Sequence, residues 1–188
     1  MAALGIDPLS IEIIVLSHIH GDHTGGLKGL LEMGVRPTVY LPHSFPGDFK
    51  AQARAGGATV VEVDGPLEIM PGLWSTGEMG DGIREQALVV RTGLGLVVIT
   101  GCAHPGVEKM LARAKEIGQG EVHLVMGGFH LGGASRGRIE DIIAEFRRLG
   151  VRKVAPCHCT GQRAMEMFAR EYGEAFVRCG VGKEISVS

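Results

Sequence analysis

His18, His20, Asp22 and His23 fall within six residues of one another. Imidazole and carboxylate side chains suit zinc, and also iron or manganese. In an extended stretch, residues two apart share a side, so His18 and His20 point the same way. A tight turn at Gly21 then carries Asp22 and His23 toward a second point nearby. One segment can therefore offer two ligands to each of two ions. The plain alternative is a polar surface loop, which accounts poorly for four potential ligands directly after an apolar run.

Other residues with chemistry are scattered but share a context. His104, His130 and His158 each follow an apolar, strand-like run. His130 reads either as a proton carrier or substrate contact, or as a hydrogen-bonded structural histidine. Cys102 reads as a thiolate ligand for a soft metal or as a small buried apolar residue. Cys157 and Cys159 flank His158 and are expected to pack beside it, and Cys179 carries no signal. His43 is expected on a surface loop and His123 inside a strand. Arg84 is expected to be solvated, and Arg136, Arg138, Arg147, Arg148 and Arg152 to form a solvated helix face.

These residues need elements to position them. Ile11 to Leu16 is a short, β-branched apolar run that reads as a buried strand feeding the histidine loop. Leu27, Leu30 and Leu31 then recur at helical spacing, and Gly34 closes that segment. Short strands are expected at 38–41, 59–63, 67–70 and 73–75, with a short helix over 49–55. The runs 86–91 and 96–100, separated by Gly93-Leu94-Gly95, predict a hairpin. Beyond it the pattern alternates. Helices are predicted from Val107 to Ile117, around Ile139 to Leu149, and around Ala164 to Tyr172. Strands are predicted at 121–126, 152–155, 175–179 and 183–187. This is a mixed, layered α/β domain, read as one unit over 1–188. Histidines at several strand ends are expected to gather along one sheet edge.

The spacing His18-x-His20-x-Asp22-His23, with the strand before it and Thr24-Gly25-Gly26-Leu27 after it, resembles the signature of the metallo-β-lactamase superfamily. Ile99-Thr-Gly-Cys-Ala-His-Pro-Gly106, Gly127-Gly-Phe-His-Leu131 and Val154-Ala-Pro-Cys-His-Cys-Thr-Gly161 are similar to one branch of it. That branch contains proteins like the dihydropterin–ribofuranosyl-aminobenzene phosphate synthase of methanopterin biosynthesis. The resemblance runs from Ile6 onward. It implies an αββα sandwich with a dinuclear metal site between the sheets. It implies that His18, His20 and His104 hold one ion and that Asp22, His23 and His158 hold the other. Two positions depart from the family. Cys102 stands where a bridging aspartate is usual, and the histidine expected before the strand at Gln86 has no counterpart, with only Glu78 and Asp81 near it. Several strands usually precede the histidine motif, and here 17 residues do, so an N-terminally shortened sandwich is expected.

The chemistry so implied is hydrolysis of an ester, amide, thioester or phosphoester bond by an activated water, with Asp22 and His130 as catalytic candidates. One or two divalent ions are expected per chain, zinc foremost, with manganese, iron or magnesium as alternatives. The branch resemblance adds a second chemistry, condensation of a pyrophosphorylated pterin with an aromatic amine. An inactive metal-binding remnant is the non-enzymatic alternative.

Composition narrows the partners. A net charge of −2 and 5% aromatic residues give no support to a nucleic-acid surface. No stretch is long and apolar enough for a membrane helix, and the N-terminus lacks the features of a signal peptide. The expected partner is a small, anionic substrate, with a homo-oligomer as the expected assembly. Four cysteines, two of them one residue apart, suit a disulfide framework poorly, so a reduced, cytoplasmic setting is expected.

Overall fold

The computed structural model describes residues 1–187. Among the described residues, nine strands form two sheets. The first is parallel and three-stranded, in the order β1 (Ile13–Val15), β2 (Thr38–Pro42), β3 (Thr59–Val63). Helices α2 (Gly26–Glu32) and α3 (Gly47–Ala55) supply its crossovers. Leu27 and Leu31 of α2 pack with Val39, Leu41, Phe45 and Ala53 in a small apolar cluster of their own. That is the leucine stripe predicted from its spacing.

The second sheet has six strands in sequence order: β4 (Leu67–Met70), β5 (Leu73–Ser75), β6 (Leu88–Thr92), β7 (Gly95–Thr100), β8 (Val122–Gly128) and β9 (Lys153–Cys157). The first four run antiparallel, and β6 and β7 form the predicted hairpin. From β7 onward the strands are parallel, joined by α4 (Val107–Gly118) and α5 (Arg136–Arg148), and α6 (Gln162–Tyr172) follows β9. The stripes of α4 and α5 bury Met110, Leu111, Ile139, Ile142 and Phe146 against the sheet. Phe129 meets Phe146 and Phe168 edge-to-face in this cluster, and Phe146 and Phe168 lie tilted to each other, with ring centroids 5.2–5.4 Å apart.

Gln86 joins the two sheets. Its backbone N–H donates to the Ser17 carbonyl at 2.9 Å, and its side-chain amide donates to the Leu16 carbonyl at 2.8 Å. The end of β1 is thereby tied to the start of β6.

Two sequence expectations need correction. Residues 175–179 and 183–187 form no strand. A 3-10 turn covers Gly173–Ala175, and Phe176 makes one isolated parallel bridge to Val154. Gly180 and Gly182, the latter at φ 80°, break the extended path. The apolar alternation still does its packing work, because Val177, Cys179, Ile185 and Val187 cover Val97, Leu124 and Ala155 on the face of the second sheet opposite its helices. The second correction lies in the histidine loop. Its latter half is a helical turn, α1 (Gly21–Thr24), closed by the Thr24 hydroxyl donating to the His20 carbonyl at 3.1 Å.

Candidate metal centre

Parallel neighbours end side by side, and β7, β8 and β9 are parallel neighbours. The segments leaving their C-terminal ends therefore sit together. Cys102 and His104 follow β7, His130 follows β8 and His158 follows β9. The tie through Gln86 brings the loop after β1 to the same edge, and with it His18 to His23. Close approach depends on glycine here. A Cβ on Gly101 would sit 2.2 Å from the Ser17 hydroxyl, and one on Gly128 would sit 2.5 Å from the Gly101 carbonyl. Ala103, His130 and His158 have φ between 52° and 60°. That left-handed conformation is costly for residues with a Cβ, and it concentrates at these loops.

The potential ligand atoms fall into overlapping groups, each within 4.8 Å. His18, His20 and His104 make one, and Asp22, His23 and His158 make another. Cys102 lies between them, grouped with His18 and His23 on one side and with His158 and Cys159 on the other. His18 Nε2 faces His20 Nδ1 at 3.1 Å, and His23 Nε2 faces His158 Nε2 at 3.1 Å. Each pair can share one proton in a hydrogen bond, and as neutral lone-pair donors the same facing nitrogens lie close enough together to hold one cation between them. Burial, together with the neighbouring imidazoles, pushes the His18 pKa down to about 4 despite the nearby Glu85, leaving a neutral ring with a free lone pair. His23 is likewise pushed down by burial, with Asp22 opposing. Asp22 is half exposed. Desolvation raises its pKa, but its own backbone N–H and the charges of His23 and His158 outweigh that and hold it below the usual range. These side chains suit a pair of divalent cations.

Glu85 is a residue of the candidate site that sequence reasoning missed. It is fully buried, and it receives the backbone N–H groups of Cys102 at 2.7 Å, Ala103 at 2.9 Å and His104 at 3.1 Å. The ring of His104 lies against it too, with Nδ1 at 2.8 Å from its carboxylate. Burial alone would raise its pKa, but these hydrogen bonds outweigh it and keep the carboxylate ionised. By accepting from Nδ1, Glu85 leaves His104 Nε2 as the free donor atom. Glu78, weighed at this position from the sequence, instead pairs with Arg84 at 2.6 Å and with the Ser44 N–H at 2.7 Å.

The remaining residues separate clearly. His130 is exposed and lies beside His104, with ring centroids 4.4 Å apart. Burial and the His104 ring lower its pKa. Cys102 is buried, with its sulfur 3.3 Å from His23 Nε2, and burial and Cys159 push its thiol pKa up. His43 pairs with Glu62 at 3.2 Å and takes no part in the histidine groups. His123 lies within β8, as expected. All four cysteines are free thiols. No described helix is long and apolar enough to cross a membrane.

Comparison with known proteins gives consistent results. The sequence model of the metallo-β-lactamase superfamily matches residues 1–158. A protein of Methanocaldococcus jannaschii, named 7,8-dihydropterin-6-methyl-4-(β-D-ribofuranosyl)-aminobenzene-5'-phosphate synthase, is 32% identical, over 98% of this chain and 78% of its own length. The crystal structure of Tm1679, described as a metal-dependent hydrolase of the β-lactamase superfamily, superposes with a TM-score of 0.82 at 31% identity. That match covers 100% of this chain and 83% of the other. The metallo-β-lactamase fold protein YhfI from Bacillus subtilis matches with a TM-score of 0.63 at 15% identity, over 93% of this chain and 76% of its own, and shows the fold alone.

Proposed function

Because the chain belongs to the metallo-β-lactamase superfamily, we propose that it is a metal-dependent enzyme that hydrolyses an ester, amide or phosphoester bond of a small molecule. One observation carries this reading. Two groups of three ligands, His18/His20/His104 and Asp22/His23/His158, stand side by side with Cys102 between them.

In this reading His18, His20 and His104 hold one divalent ion, zinc foremost, Asp22, His23 and His158 hold the second, and Cys102 is the shared donor. Bound there, the ions would make a water acidic enough to lose its proton near neutral pH and would offer positive charge to the substrate oxygen. The protein's own groups do the rest. Glu85 fixes the ring and backbone of His104. Asp22, ionised and half exposed, orients the attacking water through its free carboxylate oxygen. His130, exposed beside His104, carries a proton between the site and solvent.

A second reading is a synthase-like condensation of an activated pterin with an aromatic amine. It is supported by the identity to the M. jannaschii synthase across nearly the whole chain. Both readings use the same ligands and differ in what reaches them.

The test is elemental analysis of the purified protein with its His18→Ala, His158→Ala and Cys102→Ser variants. About two ions per chain in the wild type, falling in both histidine variants, is expected. Cobalt-loaded wild type is expected to show a thiolate charge-transfer absorption that Cys102→Ser lacks. Metal content insensitive to both histidine changes would overturn the proposal. Given a positive result, turnover of a phosphoester panel against turnover of a pterin with an aromatic amine separates the two chemistries.

A further inference from the structure

His158 belongs to two groups of three ligands at once. One is Asp22, His23 and His158, and the other is Cys102, His158 and Cys159, with the ligand atoms of each group within 4.8 Å of one another. The pair of ions proposed above uses the first group and gives Cys159 no part. The second group is complete in itself, and two of its three donors are sulfur.

Local structure holds the sulfur group together. His158 and Cys159 lie in the 3-10 turn His158–Thr160, directly after β9. The Thr160 hydroxyl donates to the Cys157 carbonyl at 2.7 Å and accepts the Phe129 N–H at 3.1 Å. The Cys159 carbonyl accepts the Gly132 N–H at 3.2 Å. The turn is therefore fastened to the loop after β8. Gly128 leaves the space that the sulfur fills, because a Cβ there would sit 2.6 Å from Cys159 Sγ and 3.2 Å from Cys102 Cα. In that space the Cys159 thiol donates to the Cys102 carbonyl at 3.6 Å. Cys157, the other neighbour of His158, is in neither group and lies beside Cys179 instead.

The two groups differ in solvent as well as in donor atoms. The side chains of Asp22 and His158 are 57% and 42% exposed. Cys102 is buried and Cys159 half-buried. Carboxylate and water suit hard cations such as manganese, and a wet position lets such an ion keep part of its hydration. Thiolates select soft cations, which bind sulfur in a dry position. A neutral imidazole has one free lone pair, so His158 serves one ion at a time.

We propose that the second ion has two alternative positions sharing His158, and that the softness of the cation decides between them. Asp22, His23 and His158 hold a hard ion, and Cys102, His158 and Cys159 draw in a soft one such as cadmium or copper(I). The proposal deepens the metal-enzyme reading and rests on His158 belonging to that centre. Cys159 is then a ligand toward soft cations alone. A soft ion displaces the hard one, and the Asp22 carboxylate is left without its ion.

Cadmium and manganese are the probes, each titrated into the whole, metal-stripped protein. A Cys179→Ser parent is used throughout, so that the neighbouring thiols Cys157 and Cys179 do not compete for cadmium. Cadmium is followed by its thiolate charge-transfer absorption, and manganese by the paramagnetic resonance of the free ion. Cys159→Ser is expected to shift the cadmium titration at least about ten-fold to weaker binding and to leave manganese binding unchanged. Asp22→Asn is expected to do the reverse, lowering bound manganese from about two ions per chain to about one and leaving the cadmium titration in place. Equal cadmium titrations in Cys159→Ser and its parent would overturn the proposal. So would a loss of both cations alike in either variant, which is the mark of a single position or of a damaged fold. Either result leaves the metal reading standing, because that is decided by the histidine variants.

Discussion

A ligand is only as good as the group that orients it. The His104 ring would be free to rotate and to shift its proton between nitrogens if Glu85 did not occupy Nδ1. The same carboxylate holds three consecutive backbone N–H groups, so it shapes the loop as well as the ring. Glu85→Gln turns an amide nitrogen toward donors that need an acceptor. It should cost about 2–3 kcal/mol of stability, and lower metal affinity by roughly ten- to a hundred-fold. Denaturant unfolding of the apo-protein reads the first, and competition with a chelating dye reads the second. A variant with unchanged metal affinity would show that Glu85 is purely structural. The candidate ligands were legible because His18 to His23 cluster in sequence and because His104 and His158 each follow an apolar run. Glu85 was not. Its partners lie 17 to 19 residues away, and a carboxylate that collects backbone N–H groups looks, in sequence, like any acidic residue at the start of a strand.

At the scale of elements, the helices were readable because their stripes repeat every three to four residues and bury against a sheet. The hairpin was readable because Gly93 and Gly95 bracket its turn. The failures at 175–179 and 183–187 share a cause. Alternating apolar residues specify which side is covered, and they do not specify that the backbone finds a ladder partner. Helix α3 shows how a crossover is fastened by charge. Glu62 on β3 receives Lys50 Nζ at 2.8 Å and Arg54 Nη2 at 2.9 Å, both from α3. Hydrogen bonds from Lys50 and Arg54 hold its pKa at about 2, against an ordinary 4.5. A lowered carboxylate pKa stabilises the fold above the unfolded-state value, and that contribution is lost as pH falls through the folded-state value. Glu62→Gln should therefore unfold at a somewhat lower temperature than wild type at neutral pH, the effect being modest because Glu62 and Arg54 keep part of their surface in water. The gap should close between about pH 4.5 and about pH 2. Thermal melts across that range test the assignment, and a gap that persists unchanged at the acid end would refute it.

For the whole molecule, the decisive feature is that the candidate centre is assembled from chain segments far apart in sequence. His18 to His23 come from beside the first sheet, and His104 and His158 from successive strand ends of the second. The unfolded chain offers at most the first segment as a site. A cation that binds the folded state and not the unfolded one stabilises the fold by about 3–4 kcal/mol at 100 to 1,000 times its dissociation constant. In a domain of this size that corresponds to a rise of roughly 5–15 °C in unfolding temperature. Without a cation, the facing nitrogens of His23 and His158 and those of His18 and His20 are left with one N–H···N hydrogen bond per pair, in the tautomers that allow it, at 3.1 Å. Zinc added to chelator-stripped protein should therefore raise the unfolding temperature in proportion to the logarithm of its free concentration. The rise should shrink in His18→Ala and in His158→Ala alike, although the two residues lie 140 positions apart. A rise that survives in His158→Ala and vanishes in His18→Ala would mean that the ion is held by the N-terminal segment alone, and the two sheets would then not be joined through metal.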